Sequence, residues 1–134
     1  MECNETQLRV RYAETDQMGV VYHANYLVWM EMGRVEYCRA KGIRYRDMEE
    51  QDGILLAVVE VNCRFLSPAR YDDEVIVRTW IERAHRRLVQ FRYEILQASE
   101  ERMLAHGHTT HVFLSRDLKP AKLPAKYHTL FGLA

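Results

Sequence analysis

Residues 9–41 have the sequence RVRYAETDQMGVVYHANYLVWMEMGRVEYCRAK, and this stretch decides the fold. It predicts a strand, then a loop that contains Asp16, and then a long helix over about residues 24–41. Apolar side chains spread around most of the helix circumference, and a helix that is apolar nearly all round is buried. Its apolar part is shorter than the ~20 residues that a membrane span needs, and charges interrupt it. We therefore expect the rest of the chain to form the layer that covers this helix.

The composition is that of an ordinary globular chain. Among 134 residues, 48% are hydrophobic and 28% are charged, and 19 Lys and Arg balance 19 Asp and Glu. This balance creates no overall field that would attract nucleic acid or a membrane surface. The three cysteines have no C-x-x-C spacing, and the first residues lack the pattern of a secretory signal. We expect one domain over residues 1–134, no nucleic acid partner, no integral membrane segment and a cytoplasmic location.

Alternating apolar residues predict five strands around the helix. These cover about residues 6–12, 55–65, 75–83, 89–95 and 103–115. In the second strand the alternation predicts one shared face for Leu55, Ala57, Val59, Val61, Cys63 and Phe65, and in the fourth strand it predicts one for Val89, Phe91, Tyr93 and Ile95. Residues 43–53 are polar and predict an irregular segment or a short helical turn, and the tail, about residues 117–134, is expected to be partly irregular. Successive strands with short connections pair antiparallel, so we predict an α+β domain in which a five-stranded antiparallel sheet wraps around one long central helix. The sheet edge and the part of the helix that remain uncovered predict a homodimer or a homotetramer.

Asp16 lies in the loop that leads to the start of this helix. An aspartate side chain is ionised near pH 7 and can act as a base or as a nucleophile. The backbone N–H groups at the helix start, around His23 to Asn25, lack acceptors within the helix and carry the positive end of its dipole. One such donor beside a polarised carbonyl oxygen is typically worth about 10²–10³ in rate. The pattern therefore suits acyl transfer, with the alternative that Asp16 only caps a turn.

The same stretch resembles a known enzyme family. The pattern DxxGVVYHxNY over residues 16–26 is similar to that of the hotdog-fold 4-hydroxybenzoyl-CoA thioesterase family, and most of all to its YbgC-type acyl-CoA thioesterase branch. The resemblance continues through FLSPA at residues 65–69 and GHT at residues 107–109. It implies a hotdog fold and hydrolysis of an acyl-CoA thioester to a free acid and coenzyme A.

The resemblance also implies roles for residues of the loop. Asp16 would act on the thioester as nucleophile or as general base for water, while the main-chain N–H of His23 would polarise the carbonyl. Four further residues would shape the pocket or fix the loop, namely Gly19, Val20, Tyr22 and Asn25. The benzoyl-specific enzymes carry a tyrosine at the position of His23, which argues against a hydroxybenzoyl substrate. The imidazole of His23 could orient water or protonate the leaving thiolate, or it could simply pack at the helix end.

Coenzyme A enters as part of the substrate, and no separate cofactor is expected. An apolar channel for the acyl group would include Tyr26, Met30 and Phe65. Ser67 would line the pantetheine slot, and Arg86 and Arg87 would bind the phosphates, since a guanidinium fork bonds two oxygens. Paired arginines at a hairpin can equally be solvated.

Two other functions and one metal site have to be weighed against this hypothesis. A hotdog acyl-thioester dehydratase normally pairs a histidine base with an acid on the helix, whereas Asp16 precedes the helix. A non-catalytic module that binds acyl-CoA or an acyl carrier would differ by lacking turnover. His106 and His108 form an H-x-H pair that can bind zinc, but no third ligand is evident beside them, so we expect no metal.

Overall fold

The structure is a computed structural model that describes residues 3–133, so residues 1–2 and 134 of the predicted domain lie outside the described residues. The strands are β1 (Asn4–Arg9), β2 (Ile54–Phe65), β3 (Glu74–His85), β4 (Leu88–Gln97) and β5 (Arg102–Ser115). The helices are α1 (Ala24–Ala40) and α2 (Tyr45–Asp52), with 3-10 turns at Tyr12–Glu14, Ala125–Tyr127 and Thr129–Phe131. All five strands join one antiparallel sheet in the order β1-β3-β4-β5-β2, which confirms the predicted five-stranded antiparallel sheet.

The strand order departs from the chain order at one edge of the sheet. β2 pairs with β5, whereas β3, β4 and β5 follow one another as hairpins. Residues 66–73 carry the chain from the end of β2 to the start of β3, which pairs with β1. The expectation of hairpin-length turns between all the later strands is therefore wrong for β2 and β3. Alternation identifies a strand but not its partner, because all strands share the same side-chain period.

Helix α1 packs on β1, β3 and β4 with one face only. The buried residues of the helix are Tyr26, Trp29, Met30, Gly33, Arg34, Tyr37 and Cys38. Leu27, Val28 and Met32 remain between 39% and 48% exposed. The expected burial all round the helix is thus wrong for a single chain, because the sheet covers one side of the helix and leaves apolar side chains on the other. Within residues 3–133 no helix is both long and apolar enough to pass through a membrane.

The helix approaches the sheet closely at Gly33. A Cβ at this position would lie 2.5 Å from the Thr79 hydroxyl oxygen and 2.8 Å from a methyl carbon of Val77. Both distances are shorter than real Cβ contacts, so the absence of a side chain lets α1 lie against β3. This contact sets how closely the middle of α1 approaches the sheet.

Strand β4 forms the floor of the core as predicted. The side chains of Val89, Phe91, Tyr93 and Ile95 are all fully buried. They alternate with partly exposed residues, as expected for a strand with one buried face. The predicted inward face of the fourth strand is therefore confirmed.

Strand β2 contains a bulge that the alternation pattern conceals. Val58 lies opposite His111 and Glu60 lies opposite Thr110, so Val59 is an extra residue between two consecutive partners. An extra residue exchanges the two faces of the strand beyond it. The prediction that Leu55, Ala57, Val59, Val61, Cys63 and Phe65 share one face is consequently wrong. Leu55 and Ala57, before the bulge, therefore face the opposite side of the sheet from Val61, Cys63 and Phe65, which follow it.

Two further segments differ from the prediction. The first strand ends at Arg9, and Val10 instead donates its backbone N–H to the Asp73 carbonyl at 2.9 Å, so the chain leaves the sheet before Tyr12. Tyr12 is 77% exposed and starts a 3-10 turn. The polar segment after α1 is a two-turn helix, α2, which ends at Gly53 with a positive φ of 67°.

Candidate active site

The loop before α1 holds Asp16 in a tight turn. Gly19 donates its backbone N–H to the Asp16 carbonyl at 2.9 Å, and Asp16 donates its own N–H to the Val20 carbonyl at 2.9 Å. Gly19 has a φ of 80°, a conformation that glycine adopts without steric cost. The N–H of Met18 donates to the Asp16 carboxylate oxygen Oδ1 at 2.9 Å. No group in residues 3–133 donates a hydrogen bond to Oδ2, so one carboxylate oxygen remains available for chemistry.

At the start of helix α1, two backbone N–H groups have no acceptor within residues 3–133. The N–H of Asn25 lacks an acceptor within the helix, as expected, but it donates to the Tyr22 carbonyl just before the helix at 2.9 Å and is therefore not open to a ligand. The turn at residues 22–25 satisfies it before the helix begins. The N–H groups of His23 and Ala24 donate to no acceptor among the described residues. Two such donors at the positive end of the helix dipole can donate hydrogen bonds to an oxygen atom of a bound group.

A cavity of about 320 Å³ lies between this loop and the end of β2. It is lined by Asp16, Met18, Val20, Val21, His23, Tyr26, Phe65, Leu66, Ser67 and Pro68. A larger groove of about 740 Å³ lies between β1 and the exposed face of α1. Neither Asp16 nor the first residues of α1 line this groove. The chemistry of the lining, rather than the volume, therefore selects the smaller cavity as the candidate site.

Aromatic rings form one wall of this cavity. The rings of Tyr26 and Phe65 meet edge to face with centroids 5.0 Å apart, and the His23 ring lies 6.3 Å from Phe65. The Tyr26 hydroxyl oxygen accepts the backbone N–H of Ala69 at 3.3 Å. Burial raises the pKa of Tyr26, although the hydrogen bond from Ala69 acts in the opposite direction. The phenol is therefore neutral and serves as a structural link between α1 and the segment after β2.

Six of the residues predicted from the sequence line the cavity together. They are Asp16, Val20, His23, Tyr26, Phe65 and Ser67. Gly19, Tyr22 and Asn25 are absent from the lining and belong to the turn and the helix start described above. Met30 is also absent, because it is fully buried one helical turn beyond Tyr26. The expected contact between Met30 and an acyl group is therefore not present in this cavity.

Arg86 and Arg87 lie far from the cavity within one chain. They occupy the turn between β3 and β4, and both are exposed. On β5, the residue opposite Phe65 is Ala105, and the residue opposite Leu88 is Val112. Seven residues of strand correspond to about 23 Å, so the two ends of the sheet are well separated.

The pattern of the sequence does not indicate that Glu14, beside this loop, carries a buried carboxylate. Its side chain is only 5% exposed, and the indole N–H of Trp29 donates to its carboxylate at 3.0 Å. Its backbone carbonyl accepts the Asn25 side-chain amide at 2.8 Å and the Tyr22 N–H at 2.9 Å. An acidic residue in a polar loop is usually solvated, so the sequence contained no signal beyond its position two residues before Asp16.

The remaining histidines and the two inner cysteines lie outside this site. His108 contacts Glu60 at 3.2 Å on the outer face of the sheet, whereas His111 is buried on the inner face. Among the described residues, no three His, Cys, Asp or Glu side chains are grouped to hold a metal ion. Burial raises the pKa of Cys63 to about 11 and that of Cys38 to about 12, so both thiols stay protonated near neutral pH.

Comparison with known proteins relates this chain to thioesterases. A family model described as "Thioesterase superfamily" matches residues 18–104. The putative acyl-CoA thioesterase YneP of Bacillus subtilis is 50% identical over 82 residues, which cover 61% of this chain and 59% of that protein, less than two thirds of its length. The acyl-CoA thioesterase YbgC of Haemophilus influenzae is 29% identical over 90 residues, which cover 67% of this chain and 66% of that protein. A crystal structure of DHNA-CoA thioesterase from Staphylococcus aureus, 36% identical, has a TM-score of 0.88 and covers 92% of this chain and 82% of that one.

Proposed function

Because this chain belongs to the thioesterase superfamily and has its hotdog fold, we propose that it hydrolyses an acyl-CoA thioester to a free acid and coenzyme A. The observation that carries this proposal is that Asp16 and His23 line the same cavity at the start of α1. One residue offers a carboxylate oxygen, and the other offers a free backbone N–H. A thioester carbonyl bound between them would meet a base or nucleophile on one side and an oxyanion site on the other.

The proposed reaction needs only these groups and one water molecule. As a general base, Asp16 takes a proton from water while the water oxygen bonds to the carbonyl carbon. The tetrahedral oxyanion is stabilised by the N–H groups of His23 and Ala24 and then expels the coenzyme A thiolate. The proton held by Asp16 passes to that thiolate, which regenerates the carboxylate. As a nucleophile, Asp16 would instead form an acyl anhydride with loss of the thiolate, and water would hydrolyse the anhydride.

Hydrolysis by this scheme requires neither a metal ion nor a resident cofactor. The thioester carbonyl is already electrophilic, and coenzyme A enters as the leaving group. His23 lines the cavity and is exposed, so its imidazole can contact water molecules that enter the cavity. We propose that it orients water, or that it protonates the leaving thiolate and then receives the proton held by Asp16, so that both side chains return to their starting state.

Self-association is proposed through the free edge of β2. Val58, Val59 and Val61 on this strand are between 44% and 57% exposed, and Leu27 and Val28 on α1 are similarly uncovered. A second copy that adds its own β2 would pair the exposed backbone and cover apolar surface. We propose a homodimer, or a homotetramer formed from two such dimers.

The same pairing would bring two arginine side chains of one copy towards the cavity of the other. The turn between β3 and β4 lies at the end of the sheet where β2 begins, because Leu88 is opposite Val112. The cavity lies at the other end, beside Phe65. Two β2 strands that pair antiparallel place the beginning of one beside the end of the other. We propose that Arg86 and Arg87 of one copy bind the coenzyme A phosphates at the cavity of the other copy.

A screen of acyl-CoA thioesters tests the proposed function directly. Short, long and aromatic acyl-CoAs, and one acyl group on an acyl carrier protein, would be offered in turn while released thiol is measured. We expect turnover of at least one acyl-CoA. Binding without turnover would favour a non-catalytic module, and dehydration of a hydroxyacyl-CoA would favour a dehydratase. Activity towards none of the thioesters would contradict the proposal.

A further inference from the structure

Glu14 connects the loop that carries Asp16 to the central helix. Its carboxylate oxygen Oε1 accepts the backbone N–H of Arg11 at 2.8 Å. The other oxygen, Oε2, accepts the Trp29 indole N–H at 3.0 Å and lies 3.5 Å from the Arg11 guanidinium. Each carboxylate oxygen thus has its own N–H donor. A buried carboxylate is stable only when its oxygens are satisfied in this way.

The backbone of Glu14 holds the other side of the same loop. Its carbonyl accepts the Tyr22 N–H at 2.9 Å and the Asn25 side-chain amide at 2.8 Å. Thr15 and Val21 form an antiparallel bridge immediately inside these contacts. Glu14 therefore joins the two ends of the turn that contains Asp16 through its backbone carbonyl.

We infer that Glu14 is a positioning residue that sets the location of the Asp16 carboxylate relative to the start of α1. The inference rests on the proposed function, because it assigns to Glu14 a task in the proposed hydrolysis. Trp29 and Asn25 both belong to α1, so Glu14 ties Asp16 to the helix whose N–H groups would bind the carbonyl oxygen. Both halves of the site then move as one body.

The carboxylate cannot be replaced by its amide without a change in the loop. A glutamine at position 14 has one oxygen and one NH2 group, but two N–H donors approach from Arg11 and Trp29. One of these donors would therefore face another donor inside the core. Relief of that contact requires the loop to move. A misplacement of about 1 Å at a reacting group can reduce the rate about 100-fold.

The test compares Glu14→Gln with a variant that loses stability elsewhere. Val89→Ala removes buried methyl groups from β4 at the opposite end of the sheet. We expect Glu14→Gln to lower kcat by about 10- to 100-fold with KM within about twofold of wild type. Val89→Ala should lower the Tm at least as much yet keep kcat within about twofold while folded. A folded Glu14→Gln protein with wild-type kcat, or an equal loss in Val89→Ala, would overturn the inference.

A second substitution checks the physical cause. In a Trp29→Phe background the indole donor is absent, so the amide NH2 of a glutamine at position 14 no longer faces it. We expect Glu14→Gln to lower kcat by a smaller factor in this background than in wild type. Equal factors in both backgrounds would count against the inference.

A measurement independent of turnover separates this inference from the proposed function. The Met18 N–H is bonded to Asp16, so its hydrogen exchange reports the order of the turn. Glu14→Gln should accelerate this exchange about tenfold or more, and Val89→Ala should not. If wild type hydrolyses no thioester, the proposed function fails, and the Met18 exchange alone decides the role of Glu14. Unchanged exchange would overturn that role.

Discussion

The indole N–H of Trp29 donates a hydrogen bond of 3.0 Å to the carboxylate of Glu14, although 15 residues separate the two along the chain. Trp29 is fully buried under the sheet, while Glu14 lies two residues before Asp16 in the loop. The hydrogen bonds from Arg11 and Trp29 hold the pKa of the Glu14 carboxyl below its ordinary value, even though burial acts in the opposite direction. The packing of the core and the geometry of the candidate site therefore depend on the same contact.

Asp16→Asn is expected to reduce thioester hydrolysis by about 10²–10⁴-fold, because an amide is neither a useful base nor a nucleophile. The amide oxygen can still accept the Met18 N–H, so the turn should persist. The measurement is thiol release from a substrate found in the screen, with sedimentation to confirm the assembly. Asp117→Asn, an exposed position outside the site, is the matched control and should keep wild-type activity. Wild-type rates in Asp16→Asn would exclude the proposed mechanism.

Replacement of both Arg86 and Arg87 by alanine is expected to raise KM for an acyl-CoA about tenfold or more, because hydrogen bonds between charged groups contribute about 1.5–3 kcal/mol each. The KM for the same acyl group on pantetheine, which lacks the nucleotide, should not change. Arg83→Ala removes a nearby exposed arginine of β3 and serves as the control. If both substrates respond equally, the two arginines do not bind the nucleotide phosphates.

Val59→Lys is expected to weaken self-association, because a charged side chain on an edge strand opposes pairing with another strand. Val59 is the bulge residue of β2 and is 57% exposed in the single chain, so the substitution should leave the monomer folded. Analytical ultracentrifugation across a concentration series would measure the shift towards monomer. Leu118→Lys, an exposed apolar position in the turn after β5, is the comparison. An unchanged dissociation constant in Val59→Lys would place the interface elsewhere.

Gly33→Ala is expected to lower the free energy of unfolding by about 1–3 kcal/mol, as is typical when a well-packed core is overfilled. The new Cβ would lie 2.5 Å from the Thr79 hydroxyl and 2.8 Å from Val77, so α1 would have to move away from β3. Thr79→Ala removes the first of these contacts. In residues 3–133 the Thr79 hydroxyl has no hydrogen-bond partner, so its loss should cost little. Urea denaturation of both single variants and the double variant should show partial rescue, and strict additivity would argue against the steric explanation.

His111 is expected to make the fold sensitive to acid. Burial, together with the charge of Arg34, lowers its pKa from 6.5 to about 3. Between these two pH values the unfolded chain binds a proton that the folded chain does not, so stability falls as the pH decreases. The lowered pKa of His111 should reduce the free energy of unfolding by about 2–3 kcal/mol between pH 7 and pH 4.5. His111→Gln should lose less stability over the same interval in urea denaturation, and equal losses would contradict the assignment.

Several features follow from the sequence because they depend only on neighbouring residues. The helix predicted over about residues 24–41 is α1 (Ala24–Ala40), and the predicted inward face of β4 is fully buried. Helical and strand periods are local properties, so a short window of sequence contains them. The loop that places Asp16 beside the helix start is also local, since its turn is closed by residues within the same stretch.

Other features were decided only by tertiary structure. The bulge at Val59, the pairing of β2 with β5 and the one-sided burial of α1 all depend on which elements meet, and no local period specifies that. In the sequence, Glu14 looks like any solvated acidic residue of a polar loop. In the structure its carboxylate is buried and accepts a hydrogen bond from Trp29. Arg86 and Arg87 lie in the turn between β3 and β4, and about 23 Å of strand separates that end of the sheet from the end beside the cavity. Sequence therefore determined the local elements and the carboxylate, whereas long-range packing determined what surrounds that carboxylate.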